Sequence, residues 1–363
     1  MSVGEAILWA LVKFAAIVLG FVMLVATVLT YLERKQSALT QNRVGPNRAL
    51  LFGKKFPLSA TIGQILADAV KVLVKEDWEP PRGNKWLHRI APALPLIAAL
   101  LVWLVIPFGP GPMPGTEGEH WFQIANLDVG ILWVLAISSL SVYGAVLGAW
   151  ASNSAFSMLG GLRTAAQMIS YEVTIGLNLV GIFMIFGSLQ LNDIVWGQGE
   201  LLWGWLPKWG IFVQPLGFVL FIAAAVAETK RAPFDLPEDE SVLVGGYFTE
   251  YSSMRFALFS LGEFIGIVIM SALTACLFLG GWQIPWVDTP LNVDGSVAYG
   301  WLTVLQVLTM LVKTLFMVFL FQQIRWTFPR FRYDQLMKLG WVYMLPLAIA
   351  NLVITAFVMY LTR

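Results

Sequence analysis

The sequence predicts an all-α polytopic membrane protein, and three observations support this fold class. Of the 363 residues, 58% are hydrophobic and 12% are charged, whereas a soluble domain carries roughly 25% charged residues. Several apolar runs reach the roughly 20 residues that a helix needs to cross a bilayer. Because these runs are continuously apolar and do not alternate, they indicate helices and not the strands of a membrane barrel.

We predict about eight transmembrane helices, which form a single domain over residues 1–363. Their bounds are about 7–31, 90–108, 127–150, 164–187, 211–228, 256–280, 302–324 and 341–361. The first run begins near an acidic residue, Glu5, and shows no small-residue cleavage site, so we expect it to be retained. The sequence shows no internal repeat of the kind that many secondary transporters have.

The basic residues predict the orientation of the chain in the membrane. The predicted spans divide the segments between them alternately between the two sides of the membrane. Nineteen of the 23 Lys and Arg residues lie in the four segments on one side. These segments are 32–89, 151–163, 229–255 and 325–340. Because cytoplasmic loops are enriched in Lys and Arg, we expect these segments to be inside and both termini to be outside.

The longest of these segments contains a predicted amphipathic helix at about 58–76. Apolar residues recur there at helical spacing, at positions 62, 65, 66, 69, 70 and 73. Gln64, Asp68, Lys71 and Lys75 mark a polar face. A helix of this length is expected to lie along the membrane interface, either as a plain connector or as a wall of a cavity at the inner side.

The composition excludes several classes of function. A net charge of +1 gives no indication of nucleic-acid binding. The single cysteine, Cys276, excludes an intrachain disulfide, and with only His88 and His120 beside it there is no haem or iron–sulfur ligand set. No dinucleotide-binding or phosphate-binding glycine motif is present. We therefore expect no bound metal or covalent cofactor, and any electrons must come from a partner.

Ionisable residues within the spans are costly to bury and are therefore candidates for function. Glu172 and Glu263 lie roughly 10–14 Å from the inner ends of their spans at 1.5 Å per residue, and Lys313 lies near the middle of its span. Carboxylates at similar depth in adjacent helices can share protons, and their titrations are then coupled. A proton relay requires this arrangement, although each carboxylate could instead only hydrogen-bond a neighbouring helix.

The stretch AETKRAPFDLPEDESVLVGGYFTEY, residues 227–251, concentrates six of the 22 carboxylates of the chain. They are Glu228, Asp235, Glu238, Asp239, Glu240 and Glu250. A solvated charge run is one interpretation. However, Lys230 and Arg231 offer local ion pairs, and aromatic residues interrupt the run, which favours a folded loop that lines a polar cavity.

Residues 227–241, AETKRAPFDLPEDES, resemble a signature of the quinone-chamber membrane subunit of respiratory complex I. Residues 33–48, ERKQSALTQNRVGPNR, are similar to a second signature of that family. Three further segments, 67–77, 150–172 and 328–341, also resemble it. The resemblance covers essentially the whole chain, in order and at the right spacing.

The resemblance implies a membrane component of proton-translocating NADH-quinone oxidoreductase, located in the inner, energy-transducing membrane and not catalytic alone. Quinone, either ubiquinone or menaquinone, would be the substrate. The implied partners are the peripheral-arm quinone-site and iron–sulfur subunits, the antiporter-like and small membrane subunits, and membrane lipids. Two alternatives are an ion-pumping component of a related hydrogenase or formate-lyase complex, and a secondary transporter, which the absence of inverted repeats disfavours.

The matched motifs and the charges within the spans together nominate the site residues. Expected around the quinone chamber are Glu33, Arg34, Arg43, Asp68, Arg231, Asp235 and Phe248. Expected in proton coupling are Glu172, Glu228, Glu238, Glu240, Glu250, Glu263 and Lys313. Expected structural groups at the inner face are Arg163, Arg330, Arg332 and Asp334. The chain departs from the family pattern at Val242, where many members carry a carboxylate, at Ala38, where Gly is usual, and at Ala155, where Lys is common.

Overall fold

The computed structural model describes residues 3–49, 59–114, 120–202, 204–236, 243–291 and 297–362. Within these residues it confirms an all-α polytopic membrane protein, with a short antiparallel hairpin formed by β1 (Leu201–Leu202) and β2 (Leu206–Pro207). The α-helices are α1 (Val3–Ile17), α2 (Met23–Thr40), α3 (Ser59–Val74), α4 (Lys85–Ile90), α5 (Ala93–Val102), α6 (Gly130–Ala151), α7 (Ala155–Phe186), α8 (Leu191–Gly197), α9 (Gly210–Val213), α10 (Pro215–Glu228), α11 (Ser253–Phe278), α12 (Trp301–Thr327), α13 (Tyr333–Lys338) and α14 (Leu345–Thr362).

Seven helical stretches of the described residues are long and apolar enough to cross a membrane, and α10 is a shorter apolar helix. The seven are Ile7–Thr40, Lys85–Val102, Gly130–Ala151, Ala155–Phe186, Ser253–Phe278, Trp301–Thr327 and Tyr333–Thr362. Each of the eight predicted spans coincides with one of these helices. Two of the long stretches continue through a π-helical turn, at Val18–Val22 and at Leu339–Met344.

The helix ends differ from the predicted span bounds at several positions. The first span continues to Thr40, since the charged residues from Glu33 onward extend the helix beyond the apolar run. The second span runs from Lys85 to Val102 and not from 90 to 108, because Asn84 caps its start and the chain leaves the helix after Val102. The helix predicted from 164 begins at Ala155.

The early start of α7 depends on a close backbone contact. Glycine costs about 1 kcal/mol relative to alanine inside a helix, so Gly160 and Gly161 disfavour helix in the sequence. In the structure, a Cβ atom on Gly160 would lie 2.7 Å from the Cα atom of Gly246. The glycine therefore lets the 3₁₀ turn Gly246–Phe248 pack directly against α7.

The centre of the bundle is α11. Its second half, from Phe264 to Phe278, is almost completely buried, and α5 and α12 both pack against the helix. Glu263 immediately precedes this buried half in the helix.

The predicted amphipathic helix is present as α3, Ser59–Val74. Its apolar residues Ile62, Leu66 and Val70 are exposed, whereas Gln64 and Asp68 are only partly exposed. A surface helix of a soluble protein would bury its apolar face. The exposed apolar stripe instead fits a helix that lies in a membrane interface with its polar face toward the bundle.

Gly160→Ala should destabilise the fold, because the new methyl group meets the backbone at Gly246. Overpacking of this kind costs about 1–3 kcal/mol. The matched control is Gly176→Ala on the same helix, where no atom lies within 4 Å of the added Cβ and alanine should stabilise the helix by up to about 1 kcal/mol. Thermal unfolding in detergent measures both variants, and equal midpoints would contradict the close contact.

Candidate functional site

One end of the bundle, which we call the charged end, gathers most of the predicted site residues. It is formed by the end of α2, by the loop between α3 and α4, and by the segments 229–236, 243–252 and 325–334. The segment 229–236 leaves α10 in a sharp turn, with a positive φ of 51° at Lys230 and a cis peptide bond between Ala232 and Pro233. The Gln167 Nε2 atom fastens this turn by donating to Ala227 O at 2.8 Å and Phe234 O at 3.0 Å.

Lys230 belongs to a buried three-residue network. Its Nζ atom donates to Tyr247 Oη at 2.7 Å and lies 3.4 Å from Glu263 Oε1. The Tyr247 hydroxyl donates to the same Glu263 oxygen at 2.7 Å. The side chains of Lys230 and Glu263 are 8% and 10% exposed, so the charges compensate each other where water has little access.

Arg231, the next residue, belongs to a second network on the other side of the turn. Its Nη1 atom lies 3.2 Å from Glu33 Oε2, across 198 residues of sequence, and its guanidinium packs on the Phe264 ring at 4.5 Å. Arg325 Nη1 binds the other oxygen of Glu33 at 2.5 Å. Glu33 thus holds two arginines, one from the turn and one from the end of α12.

A polar cavity of about 380 Å³ adjoins Glu33. Glu33, Arg34, Ser37, Arg43, Gly45, Pro46 and Trp326 line it. Its volume falls within the roughly 300–1,000 Å³ of small-molecule sites. Arg34 also binds Asp68 Oδ2 at 2.7 Å, and Gln64 donates to Asp68 Oδ1 at 3.0 Å. The polar face of α3 is therefore connected to the cavity wall through Arg34.

A second, buried cavity of about 70 Å³ lies inside the bundle. Its lining is mainly apolar, and the polar residues in it include Glu228, Lys230, Glu263, Ser138 and Ser141. A buried water needs roughly 10–15 Å³ of such space together with polar partners, so this cavity has room and partners for several waters.

A smaller void of about 10 Å³ shares Ser138, Glu228 and Met270 with that cavity and is also lined by Glu172. Glu228 Oε2 is buried and has no hydrogen-bond partner among the described residues. The three carboxylates Glu263, Glu228 and Glu172 therefore border consecutive voids. The sequence predicted proximity of Glu172 and Glu263, and the structure places Glu228 between them.

Asp235 marks the far end of the turn. Its Oδ2 atom accepts from Arg330 at 3.1 Å, while Oδ1 is buried without a partner among the described residues. Burial raises the pKa of Asp235 to about 6, against the opposing effects of Arg330 and Arg325. The neighbouring Phe234 and Phe331 rings stack at 5.5 Å, which joins the turn to the segment before α13.

The remaining nominated residues are less closely associated with these networks. Phe248 packs against Phe256 and Phe259, and Glu250 is half-buried in the following loop. Arg163 lies over the Tyr333 ring, and Arg332 pairs with Asp334 at the exposed start of α13. Glu238, Glu240 and Val242 lie outside the described residues.

Lys313 is far from the buried carboxylates. Its Nζ atom donates to Gly281 O at 2.9 Å and Gln283 O at 2.7 Å, beyond the end of α11 opposite to Glu263. It also lies over the Trp209 ring at 4.4 Å. Through these hydrogen bonds, Lys313 connects the loop after α11 to α12.

Lys230 and Arg231 both form ion pairs with carboxylates that are distant in the sequence. The strong partners, Glu263 and Glu33, come from α11 and α2. Sequence reasoning also missed Tyr247 and Arg325. Tyr247 was visible as an aromatic residue within the acidic stretch, but nothing in the sequence indicates that its hydroxyl bridges Lys230 and Glu263.

Sequence reasoning missed a further cluster beside α3. Arg255 Nη2 binds Glu79 Oε1 at 2.5 Å and Asp77 Oδ2 at 3.0 Å, and Arg255 Nη1 lies 2.9 Å from His88 Nδ1. The His88 ring stacks on Tyr251 at 4.0 Å. Hydrogen bonds from Arg89 and Arg255 lower the pKa of Glu79 to about 2. This cluster fastens the loop after α3 to the start of α11.

The described residues contain no group of three or more His, Cys, Asp or Glu side chains that could hold a metal ion. The site contains a polar cavity, a mainly apolar void that several polar groups border, and the carboxylates Glu33 and Glu263, which pair with cationic side chains. This arrangement can bind a polar small molecule and transfer protons.

The fold and the site define a class: a polytopic α-helical membrane protein with a buried charge network at one end of its bundle. The sequence profile of the NADH dehydrogenase family matches residues 12–356, and the chain belongs to that family. It is 43% identical over 352 residues to NADH-quinone oxidoreductase subunit 8 of Rhodothermus marinus, with 96% of each chain covered.

Other curated relatives are also named as components of NADH-quinone oxidoreductase. The chain is 43% identical over 346 residues to such a relative from Geobacter metallireducens, with 95% of each chain covered. It is 45% identical over 329 residues to another from Rhodospirillum centenum, with 90% of this chain and 87% of the relative covered. The expected family is confirmed.

Asp235→Asn should remove a specific pH dependence of stability. A free Asp has a pKa of about 3.9, so the higher folded-state value means that the folded state retains a proton that the unfolded state has lost. This contribution is fully present below about pH 4 and is lost as pH rises through about 6. The stability of the wild type relative to the variant should therefore fall by up to about 3 kcal/mol between these limits.

Thermal unfolding of both proteins across this range measures the difference. Asp334→Asn, an exposed carboxylate in the same region, is the matched control and should leave the pH dependence unchanged. A constant difference between wild type and Asp235→Asn would show that Asp235 has an ordinary pKa.

Proposed function

We propose that this chain is the membrane subunit of an NADH-quinone oxidoreductase, that it forms part of the quinone chamber, and that it couples quinone reduction to proton translocation. The names of its near full-length relatives support the assignment to this complex. Electrons come from partner subunits, since the sequence offers no ligand set for a redox centre.

The observation that carries the proposal is the arrangement of Lys230 and Arg231. These consecutive residues bind carboxylates that border different cavities: Arg231 binds Glu33 at the polar cavity, and Lys230 binds Glu263 at the buried cavity. A change in the backbone of the turn would move both side chains together. The turn 229–236 is therefore a direct physical link between a ligand site and intramembrane carboxylates.

In the proposed mechanism, the quinone headgroup occupies the polar cavity beside Glu33, Arg34 and Arg43. Reduction of a quinone to a quinol takes up two electrons and two protons. The electric field at Glu33 changes during this step, and the strength of the ion pairs that Glu33 forms with Arg231 and Arg325 changes with it. Charge-assisted pairs of this kind respond to nearby charge because they lie in a region of low dielectric.

The response reaches the buried cavity through the turn. When the loss of the Arg231 contact changes the backbone of the turn, Lys230 moves with it, and the compensation of Glu263 by Lys230 and Tyr247 changes. A proton can then pass between Glu263, Glu228 and Glu172 through waters in the consecutive voids. The proton or the charge change is passed on to antiporter-like partner subunits.

Access to the cavity follows from α3. This helix lies with its polar face toward Arg34 and with its apolar face exposed, so a quinone can enter laterally from the bilayer beneath it. The positive-inside distribution of Lys and Arg supports placing the charged end on the cytoplasmic side of the energy-transducing membrane, with both termini outside.

Glu228→Gln tests the proposal, because it removes an ionisable carboxyl group from the site between the two voids with little change in shape. In membranes that carry the whole complex, NADH-driven quinone reduction and proton pumping should both fall by at least about tenfold, equivalent to about 1.4 kcal/mol in the rate-limiting step. Assembly is checked on native gels.

The matched control is Glu200→Gln, an exposed carboxylate paired with Lys208 near the β hairpin. It should retain the wild-type rates. If Glu228→Gln assembles and also retains both rates, Glu228 is not part of the coupling. If pumping is driven by NADH without any dependence on quinone, the assignment to a quinone-reducing complex is wrong.

A further inference from the structure

A further cavity of the membrane domain, different from the three described above, lies between α2 and α12. It is a groove of about 530 Å³ whose lining is almost entirely apolar. Leu24 and Leu32 of α2, and Leu315 and Phe319 of α12, line it and are each between 45% and 58% exposed. The groove is therefore open along its side.

Two contacts join the helices of the groove near the charged end. Gln36 of α2 donates to Gln323 of α12 at 2.5 Å, and the ion pair between Glu33 and Arg325 joins the same two helices. Lys35 lines the groove at this level, and Leu39 lines it one turn further on. The apolar groove thus has a cationic side chain near its charged end.

The part of the groove between Leu24 and Lys35 matches one leaflet of a bilayer in length. From Leu24 to Lys35 the helix rises about 16 Å at 1.5 Å per residue, which is about half of the roughly 30 Å hydrocarbon core. Its volume also fits a hydrocarbon chain. A cavity of about 150 Å³ accommodates one benzene molecule, so this groove has room for roughly twenty carbon atoms at that packing.

Lys35 has the contacts expected of a phosphate-binding lysine. Its Nζ atom donates one hydrogen bond, to Val44 O at 2.6 Å, and an ammonium group carries three donors. Among the described residues, no carboxylate forms an ion pair with Lys35. The carboxylates Glu33 and Asp68, which lie at the same end of the bundle, pair with arginines. Basic groups between transmembrane helices at the level of the headgroups bind anionic lipids.

We propose that this groove binds one acyl chain of an anionic phospholipid, whose phosphate accepts a hydrogen bond from Lys35. The site is separate from the polar cavity. Leu32, Lys35 and Gln36 line the groove, whereas Glu33 and Ser37 line the polar cavity on the neighbouring face of α2. A lipid in this position would fill the space between α2 and α12 and support the helix that carries Glu33. The proposal does not depend on quinone binding.

Photocrosslinking in membranes that contain the assembled complex tests the proposal. One probe is phosphatidylglycerol and the other is phosphatidylcholine, each with a photoreactive group in one acyl chain. Peptide mapping should find labels within residues 24–39 and 315–322, about fivefold more from phosphatidylglycerol. Lys35→Gln should remove this preference, equivalent to about 1 kcal/mol for one lysine near the membrane surface.

Two further variants separate the phosphate contact from the groove. Val28→Trp, which places a large ring in the groove, should reduce labelling by both probes. Lys75→Gln, which removes an exposed lysine after α3, should retain the preference.

Any one of four results would overturn the proposal. Equal labelling by both probes, or an unchanged preference in Lys35→Gln, would show that Lys35 does not bind the phosphate. If other lipid-facing helices are labelled and these two segments are not, a partner subunit covers the groove. Loss of the label on addition of a long-chain quinone would show that the groove holds the quinone tail.

Discussion

The ion pair between Arg231 and Glu33 is the interaction on which the arrangement of the charged end depends. It joins the turn after α10 to the first transmembrane helix, and Arg325 extends it to α12. A buried ion pair costs desolvation and contributes little net stability, but removal of one partner leaves an uncompensated charge and is strongly destabilising. Such a pair holds two parts of a protein in one relative position. Here it holds the turn 229–236 in position relative to the polar cavity.

The fold provides the surroundings in which this pair can act. Gly160 lets the segment with Tyr247 approach α7, and Gln167 binds two carbonyl groups of the turn. Tyr247 is thereby held where its hydroxyl reaches both Lys230 and Glu263. The cluster around Arg255 and Glu79 fastens the loop after α3 on the other side. The turn is therefore packed between rigid helices, while its own charged groups remain close to water-sized voids.

The sequence predicted the helices better than the contacts between them. The transfer free energy of apolar residues is a local property, so all eight spans could be located. Their ends were less predictable where a cap such as Asn84 or a tertiary contact such as that of Gly160 decides the boundary. The cost of burying charge nominated Glu172 and Glu263, and the acidic stretch nominated Glu228; in the structure all three carboxylates line voids within the bundle. Their partners could not be deduced, because the pairing of Lys230 with Glu263 depends on the left-handed backbone at Lys230 and on which helices are neighbours. His88, Tyr251 and Arg255 carry no signal in the sequence that would bring them together.

The central claim is that Arg231 transmits a change at the polar cavity to the buried carboxylates. Infrared difference spectroscopy of the assembled complex, recorded on reduction of bound quinone, tests it directly through the carboxyl bands. The wild type should show a carboxyl signal that is absent in Glu263→Gln, and Arg231→Gln should abolish the same signal while quinone still binds. If the signal survives in Arg231→Gln, the buried carboxylates respond by another route and the account is wrong.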